Sequence, residues 1–100
     1  MFSTLKTEIQ QQIDAIPAII YSKTYCPYCR KAERAVQSFQ PNAVFVNLDE
    51  MHDGQSRQDM LKELTGQTTV PNIFINSKHI GGYTDLMAKI KTGEVQALLK

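Results

Sequence analysis

Cys26 and Cys29 are the only cysteines of the 100-residue chain, and two residues separate them. Only the thiolate of a cysteine attacks a disulfide, so a reactive cysteine needs surroundings that favour negative charge. The helix predicted over Pro27–Phe39 places Cys26 at its N-terminus, where free N–H groups and the helix dipole favour an anion. Lys23 adds a nearby cation. The pattern predicts that Cys26 is the nucleophile and that Cys29, one helical turn further on, is the less exposed resolving thiol.

Alternating helical and strand-like patterns predict the elements that must hold this pair. Apolar residues spaced by three and four indicate helices, and short β-branched runs indicate strands. The expected elements are a helix over Thr4–Ile16 with Ser3 as its N-cap, a strand over Ala18–Tyr21, the cysteine-bearing helix, a strand over Val44–Val46, a helix over Ser56–Thr65, strands over Pro71–Ile75 and Lys78–Ile80, and helices over Asp85–Ile90 and Glu94–Leu99. Among the helical residues, those expected in the core include Val36, Phe39, Met60 and Leu61. Strand, helix and strand around the cysteines predict a parallel strand pair in a single α/β domain over residues 1–100.

Composition excludes several classes of partner. A formal net charge of +1 offers no broad electrostatic attraction to nucleic acid or to anionic lipid. The apolar stretch Ile16–Tyr21 is interrupted by Pro17 and is too short to cross a bilayer. The opening residues Met1–Lys6 lack the pattern of a secretion signal. We therefore expect a cytoplasmic monomer without nucleic-acid or membrane partners.

The cysteine pair has two other interpretations. As half of a zinc site it would need two further ligands at compatible spacing. His52 and His79 are the only histidines, they are far apart in sequence, and no second Cys-x-x-C exists. Two buried, inert cysteines are the other alternative, which the predicted helix start at Pro27 makes weaker. We expect no metal site, and redox chemistry is the favoured interpretation.

Three separated blocks of the sequence resemble the dithiol glutaredoxins. They are Ser22-Lys23-Thr24-Tyr25-Cys26-Pro27-Tyr28-Cys29, Leu64-Thr65-Gly66-Gln67-Thr68-Thr69-Val70-Pro71 and Gly81-Gly82-Tyr83-Thr84-Asp85. The similarity covers nearly the whole chain. It implies a thioredoxin-like fold, in which helices flank a four-stranded mixed sheet, and a cis peptide bond before Pro71, beside Cys26.

The same resemblance implies a glutathione site. Lys23 and Gln58 match positions that hold the glycine carboxylate of glutathione. The N–H groups at the helix start near Thr84 and Asp85 would hold the γ-glutamyl carboxylate, and the Asp85 side chain would take the ammonium. The Val70 backbone would pair with the glutathione peptide like an added strand. The remaining residues assigned to this groove are Tyr28, Thr69, Pro71 and Tyr83.

The resemblance implies a glutathione-dependent thiol-disulfide oxidoreductase. Its substrates would be protein–glutathione mixed disulfides and protein disulfides, with glutathione as the reductant. An alternative is a dimeric carrier of a [2Fe-2S] cluster, held by Cys26 and a glutathione sulfur from each of two chains. A binding module without thiol chemistry is a third possibility, which the presence of both cysteines disfavours.

Overall fold

The computed structural model describes residues 4–99, and the predicted N-cap Ser3 lies outside the described residues. In chain order the elements are α1 (Thr4–Ala15), β1 (Ala18–Ser22), α2 (Pro27–Phe39), β2 (Val44–Asn47), a short 3-10 helix (Leu48–Glu50), α3 (Gly54–Thr65), β3 (Asn72–Ile75), β4 (Lys78–Gly81), α4 (Tyr83–Thr92) and α5 (Glu94–Leu98). The predicted succession of helices and strands is confirmed. The 3-10 helix is an addition, since the sequence pattern indicated only a polar loop there.

Within the described residues the sheet has four strands in the order β2-β1-β3-β4. β1 is parallel to β2 and antiparallel to β3, and β3 is antiparallel to β4, so the predicted mixed sheet is confirmed. The β3–β4 hairpin turns at Asn76 and Ser77, which both have positive φ (49° and 69°), as a tight hairpin turn requires. β1 is therefore a central strand, with a neighbouring strand on each side.

Helices cover both faces of the sheet because successive side chains of β1 point in opposite directions. Ala18 and Ile20 pack into a core that includes residues of α2 and α4. Ile19 and Tyr21 pack into a second core, which includes residues of α1 and α3. This two-sided burial fixes the end of β1 and the start of α2, where the cysteine pair lies.

One core prediction is wrong. Val36 and Leu61 are buried as expected and Met60 packs against the core, but Phe39 is 37% exposed. Phe39 is the last residue of α2, so no further turn of the helix covers its side chain. None of the helices within residues 4–99 has the length and hydrophobicity that a membrane span requires.

Candidate active site

Cys26 is the N-cap residue of α2, with an extended backbone (φ −97°, ψ 108°), and Pro27 opens the helix behind it. The Cys29 N–H donates a hydrogen bond to Cys26 Sγ at 3.1 Å. An N–H of the first helical turn has no partner inside the helix, so the sulfur satisfies it and gains a donor that stabilises negative charge. The predicted position of Cys26 at a helix N-terminus is confirmed, and its thiol is half-buried.

Cys29 lies in a different environment, although it is only one turn away. Its side chain is completely buried. Burial raises the pKa of Cys29 to about 11, and a hydrogen bond with Cys26 adds to the rise. Hydrogen bonds from the Lys23 backbone and the Ser22 hydroxyl act in the opposite direction. The two thiols are thus unequal: Cys26 is accessible, whereas Cys29 is held neutral inside the protein.

The turn between β1 and α2 is fixed by contacts outside the cysteine pair. The Thr24 N–H donates to Asp49 Oδ1 at 2.9 Å, and the Thr24 hydroxyl donates to Asp49 Oδ2. The hydroxyl is the main cause that lowers the pKa of Asp49. On the other side of the turn, the Lys23 carbonyl accepts the Cys26 N–H at 3.1 Å. These bonds orient the backbone that presents Cys26.

A groove of about 390 Å³ lies beside Cys26. Its lining consists of Tyr28, Gln67, Thr69, Val70, Pro71, Gly82, Tyr83, Thr84 and Asp85. Cys26 Sγ is 4.0 Å from the Val70 carbonyl oxygen, which places the sulfur at the edge of the groove. The Val70–Pro71 peptide bond is cis, as predicted. Seven of the residues predicted for the glutathione site therefore share one cavity next to the nucleophile.

The far wall of the groove is the first turn of α4. Asp85 Oδ2 accepts the Gly82 N–H at 3.1 Å, which caps the helix and fixes the carboxylate at the groove. Gly81 has a φ of 117°, and a Cβ at this position would overlap the Asp85 side chain. The rings of Tyr28 and Tyr83 lie 5.6 Å apart between centroids. One end of the groove thus combines a carboxylate with free helix N–H groups, and two aromatic rings flank it.

Lys23 and Gln58 do not line this groove. They line a second cavity of about 320 Å³, together with Gln55, Asp59, Lys62 and Thr68. Gln58 Nε2 donates to the Thr68 carbonyl at 3.0 Å, so one of its two N–H donors is already used. Because Thr68 and Thr69 are consecutive, the two cavities lie next to each other along the chain. The predicted residues divide between them.

Comparison with known proteins identifies the family. Residues 18–80 match the family model named glutaredoxin. The chain belongs to the glutaredoxin family. Glutaredoxin-1 of Rhizophagus irregularis is 38% identical over 97 residues, which are 97% of this chain and 96% of the relative. Glutaredoxin-C1 of Arabidopsis thaliana is 42% identical over 87 residues, 87% of this chain and 70% of the relative.

A solved structure of a buckwheat glutaredoxin–glutathione complex is 35% identical to this chain, with a TM-score of 0.90. The match covers 97% of this chain and 88% of that one. The thioredoxin-like fold predicted from the sequence is thereby confirmed. The predicted enzyme class is also confirmed: this glutaredoxin is a glutathione-dependent thiol oxidoreductase.

Sequence reasoning missed Gln67, which organises the segment before β3. Gln67 Nε2 donates to the carbonyls of Thr69 at 3.0 Å and Pro71 at 2.9 Å. Gln67 Oε1 lies 3.1 Å from His79 Nε2, and burial lowers the pKa of this histidine. Gln67 thereby binds the carbonyls on either side of Val70. The indications in the sequence were its place directly after the helix stop at Gly66 and inside the second block that resembles the dithiol glutaredoxins.

The part of the chain that the structure describes contains no evident metal-binding site. Within residues 4–99, no group of three or more His, Cys, Asp or Glu side chains could hold a metal ion. The site is thus built from two thiols, two polar cavities and the segment around Pro71.

Proposed function

We propose that this glutaredoxin removes glutathione from protein–glutathione mixed disulfides, with Cys26 as the nucleophile. The observation that carries the proposal is the position of Cys26 Sγ, which accepts a helix N–H at 3.1 Å and lies at the edge of the groove. The Cys26 thiolate attacks the glutathione sulfur, the protein thiolate leaves, and glutathione stays on Cys26. A second glutathione thiolate then attacks that disulfide, which yields glutathione disulfide and free Cys26.

Glutathione binding is assigned first to the groove. Free N–H groups at the start of α4, near Thr84 and Asp85, favour the γ-glutamyl carboxylate. The Asp85 carboxylate keeps acceptor capacity beyond its bond with Gly82 N–H, so it takes the ammonium of the same γ-glutamyl unit. The Val70 backbone, between two carbonyls held by Gln67, pairs with the glutathione peptide. The buckwheat glutaredoxin–glutathione complex supports glutathione binding in general.

The glycine carboxylate of glutathione is assigned to the second cavity. Lys23 supplies a positive charge there, and Gln58 supplies its remaining N–H donor. Thr69 then lies between the two ends of the ligand, and Tyr28 and Tyr83 flank it. Glutathione is an extended tripeptide with a charged group at each end, so each end needs its own binding residues. Two adjacent cavities, each lined by some of the predicted residues, meet this need.

Reduction of protein disulfides is the second proposed reaction, and it needs both thiols. Cys26 attacks the protein disulfide and forms a mixed disulfide with one protein sulfur. Cys29 then attacks Cys26 Sγ, which releases the protein thiol and leaves a Cys26–Cys29 disulfide for reduction by two glutathiones. The hydrogen bond from the Cys29 N–H to Cys26 Sγ at 3.1 Å supports this step, because it keeps the two residues together. No observation on the described residues favours the cluster-carrier alternative.

Serine substitutions of the two cysteines test these assignments. Cys26→Ser should abolish both reactions, whereas Cys29→Ser should lose protein-disulfide reduction and keep deglutathionylation. The assays are glutathione-coupled reduction of a glutathionylated peptide and of a protein disulfide, with Ser38→Ala on the exposed part of α2 as a control variant. Equal loss of both reactions in the two cysteine variants would contradict the roles.

A further inference from the structure

Gln67 lies in a stretch of backbone that no helix or strand supports. Residues 67–71 connect α3 to β3 outside the regular elements, yet most of them line the groove. In such a stretch the backbone carbonyls need partners other than a helix or a sheet ladder. The carbonyls of Thr69 and Pro71 share one partner, Gln67 Nε2, at 3.0 Å and 2.9 Å. A single side chain therefore fixes the backbone on both sides of Val70.

The amide of Gln67 has no N–H left for a ligand. Its nitrogen carries two hydrogens, which match the two carbonyl oxygens that it contacts. The reverse orientation of the amide would put oxygen against oxygen, so the nitrogen belongs on this side. The carbonyl oxygen of Val70 lies between these two along the chain and is 4.0 Å from Cys26 Sγ. Gln67 thus acts on a ligand in the groove through the backbone that it holds.

The other polar atom of the amide, Oε1, is held by His79 of β4. His79 Nε2 lies 3.1 Å from Gln67 Oε1 and 2.9 Å from Asn72 Oδ1. Both neighbours are oxygens, so Nε2 carries a hydrogen and donates it. His79 also packs against Phe74, with 5.1 Å between ring centroids, and it lines neither the groove nor the second cavity. A chain of hydrogen bonds thus runs from His79 through Gln67 to the backbone of the groove.

We propose that Gln67 and His79 are positioning residues for glutathione, which hold the backbone around Val70 in the shape that pairs with the glutathione peptide. The inference rests on the proposed function, in which Val70 supplies that pairing. Without this support the backbone samples other conformations, and the fraction of molecules that are ready to bind falls. The apparent affinity falls by the same factor. The reactivity of Cys26 is set at the start of α2 and should stay the same.

Two substrates separate the binding of glutathione from the reactivity of the thiol. One is a glutathionylated peptide, with glutathione as the reductant, and the other is 5,5′-dithiobis(2-nitrobenzoate), which contains no glutathione. Gln67→Met keeps the length of the side chain but has no N–H donor, so the KM for the peptide should rise about fivefold to tenfold, with kcat within about twofold. The rate constant for the nitrobenzoate disulfide should change by less than about twofold. Gln37→Met, at an exposed position of α2, is the matched control.

His79→Phe tests the second link of the chain. A phenyl ring keeps a similar shape against Phe74 but cannot donate to Gln67, so the KM for the peptide should rise about threefold. In the Gln67→Met background the same change should have no further effect, because His79 acts through Gln67. At pH 8 His79 is neutral, since burial lowers its pKa, so loss of a positive charge cannot cause the change. If Gln67→Met does not fold, His79→Phe with the two substrates decides the matter.

Three results would overturn the proposal: an unchanged KM in the folded variants, equal slowing with both substrates, or additive effects of the two substitutions. Equal slowing is what a general loosening of the fold gives. Normal turnover of the peptide by the wild type, together with any of these results, would contradict only the positioning role. A wild type that reacts with the nitrobenzoate disulfide but does not turn over the glutathionylated peptide would contradict the proposed function, and the positioning role with it.

Discussion

Cys29 should be an unusually weak acid, and alkylation can measure this. Burial, with the contact to Cys26, raises its pKa from an ordinary 9.0 to about 11. The neutral thiol is thus favoured by about 2.7 kcal/mol more than in an exposed cysteine. At pH 7 about one Cys29 in 10⁴ is a thiolate, against about one in 100 for a thiol of ordinary pKa.

Cys26→Ser is the perturbation that isolates this property, because it leaves Cys29 as the only cysteine. The substitution removes the contributions of Cys26, but burial is the largest cause of the shift and persists. The rate of carboxamidomethylation by iodoacetamide, followed by mass spectrometry, should rise about tenfold per pH unit up to about pH 10 without a plateau. In denaturant the same variant should level off near the ordinary pKa of a thiol.

A plateau below about pH 9 in the folded variant would refute the reasoning. Restricted access to a buried sulfur also slows alkylation, but it lowers the rate at every pH and does not move the inflection. The position of the inflection, rather than the absolute rate, is therefore the decisive measurement.

Three further predictions concern stability and ligand binding. Gly54→Ala should lower the free energy of unfolding, measured in urea, by about 3 kcal/mol, because the added Cβ would overlap the Leu48 carbonyl oxygen. An unchanged urea midpoint would contradict this close approach of Gly54 to Leu48. Burial raises the pKa of Tyr21 to about 12 from 10.0, so the stability that its neutral form provides is lost as pH rises above 10. Between pH 8 and pH 11 the free energy of unfolding, measured in urea, should fall by about 1.4 kcal/mol more in the wild type than in Tyr21→Phe. Equal falls in the two proteins would contradict the raised pKa of Tyr21. Asp85→Asn keeps an acceptor for the Gly82 N–H but removes the negative charge. The KM for glutathione should therefore rise about tenfold, with little change in Tm. An unchanged KM would show that Asp85 does not bind the ammonium group.

Local patterns in the sequence were sufficient for the elements and for the nucleophile. The period of apolar residues predicted the helices and strands to within a few residues, because the side chains that face the sheet must be apolar. Pro27 identified the start of α2, since proline is tolerated in a first helical turn, and so placed Cys26 at its N-terminus. The cytoplasmic location, the monomeric state and the single domain over residues 1–100 stay predictions.

The sequence could not predict contacts that depend on packing between distant segments. From the sequence alone, Glu33 would be placed on the solvent-exposed face of a helix. It is buried against Ser22 only because α2 packs against the end of β1. From the sequence alone, Gln67 would be an ordinary loop residue, because its contact with His79 forms only when β3 and β4 pair as a hairpin. Phe39 fits the helical stripe, yet the helix ends there and leaves it exposed.

What the sequence determined by itself is the pair Cys26 and Cys29, its place at a helix start and the family resemblance, because spacing and residue type along one segment suffice for these. Only the tertiary structure decided how unequal the two thiols are. Helix geometry puts both sulfurs on one side, but the depth of Cys29 depends on the sheet and helices that close over it. It is this burial that gives the second cysteine its high pKa.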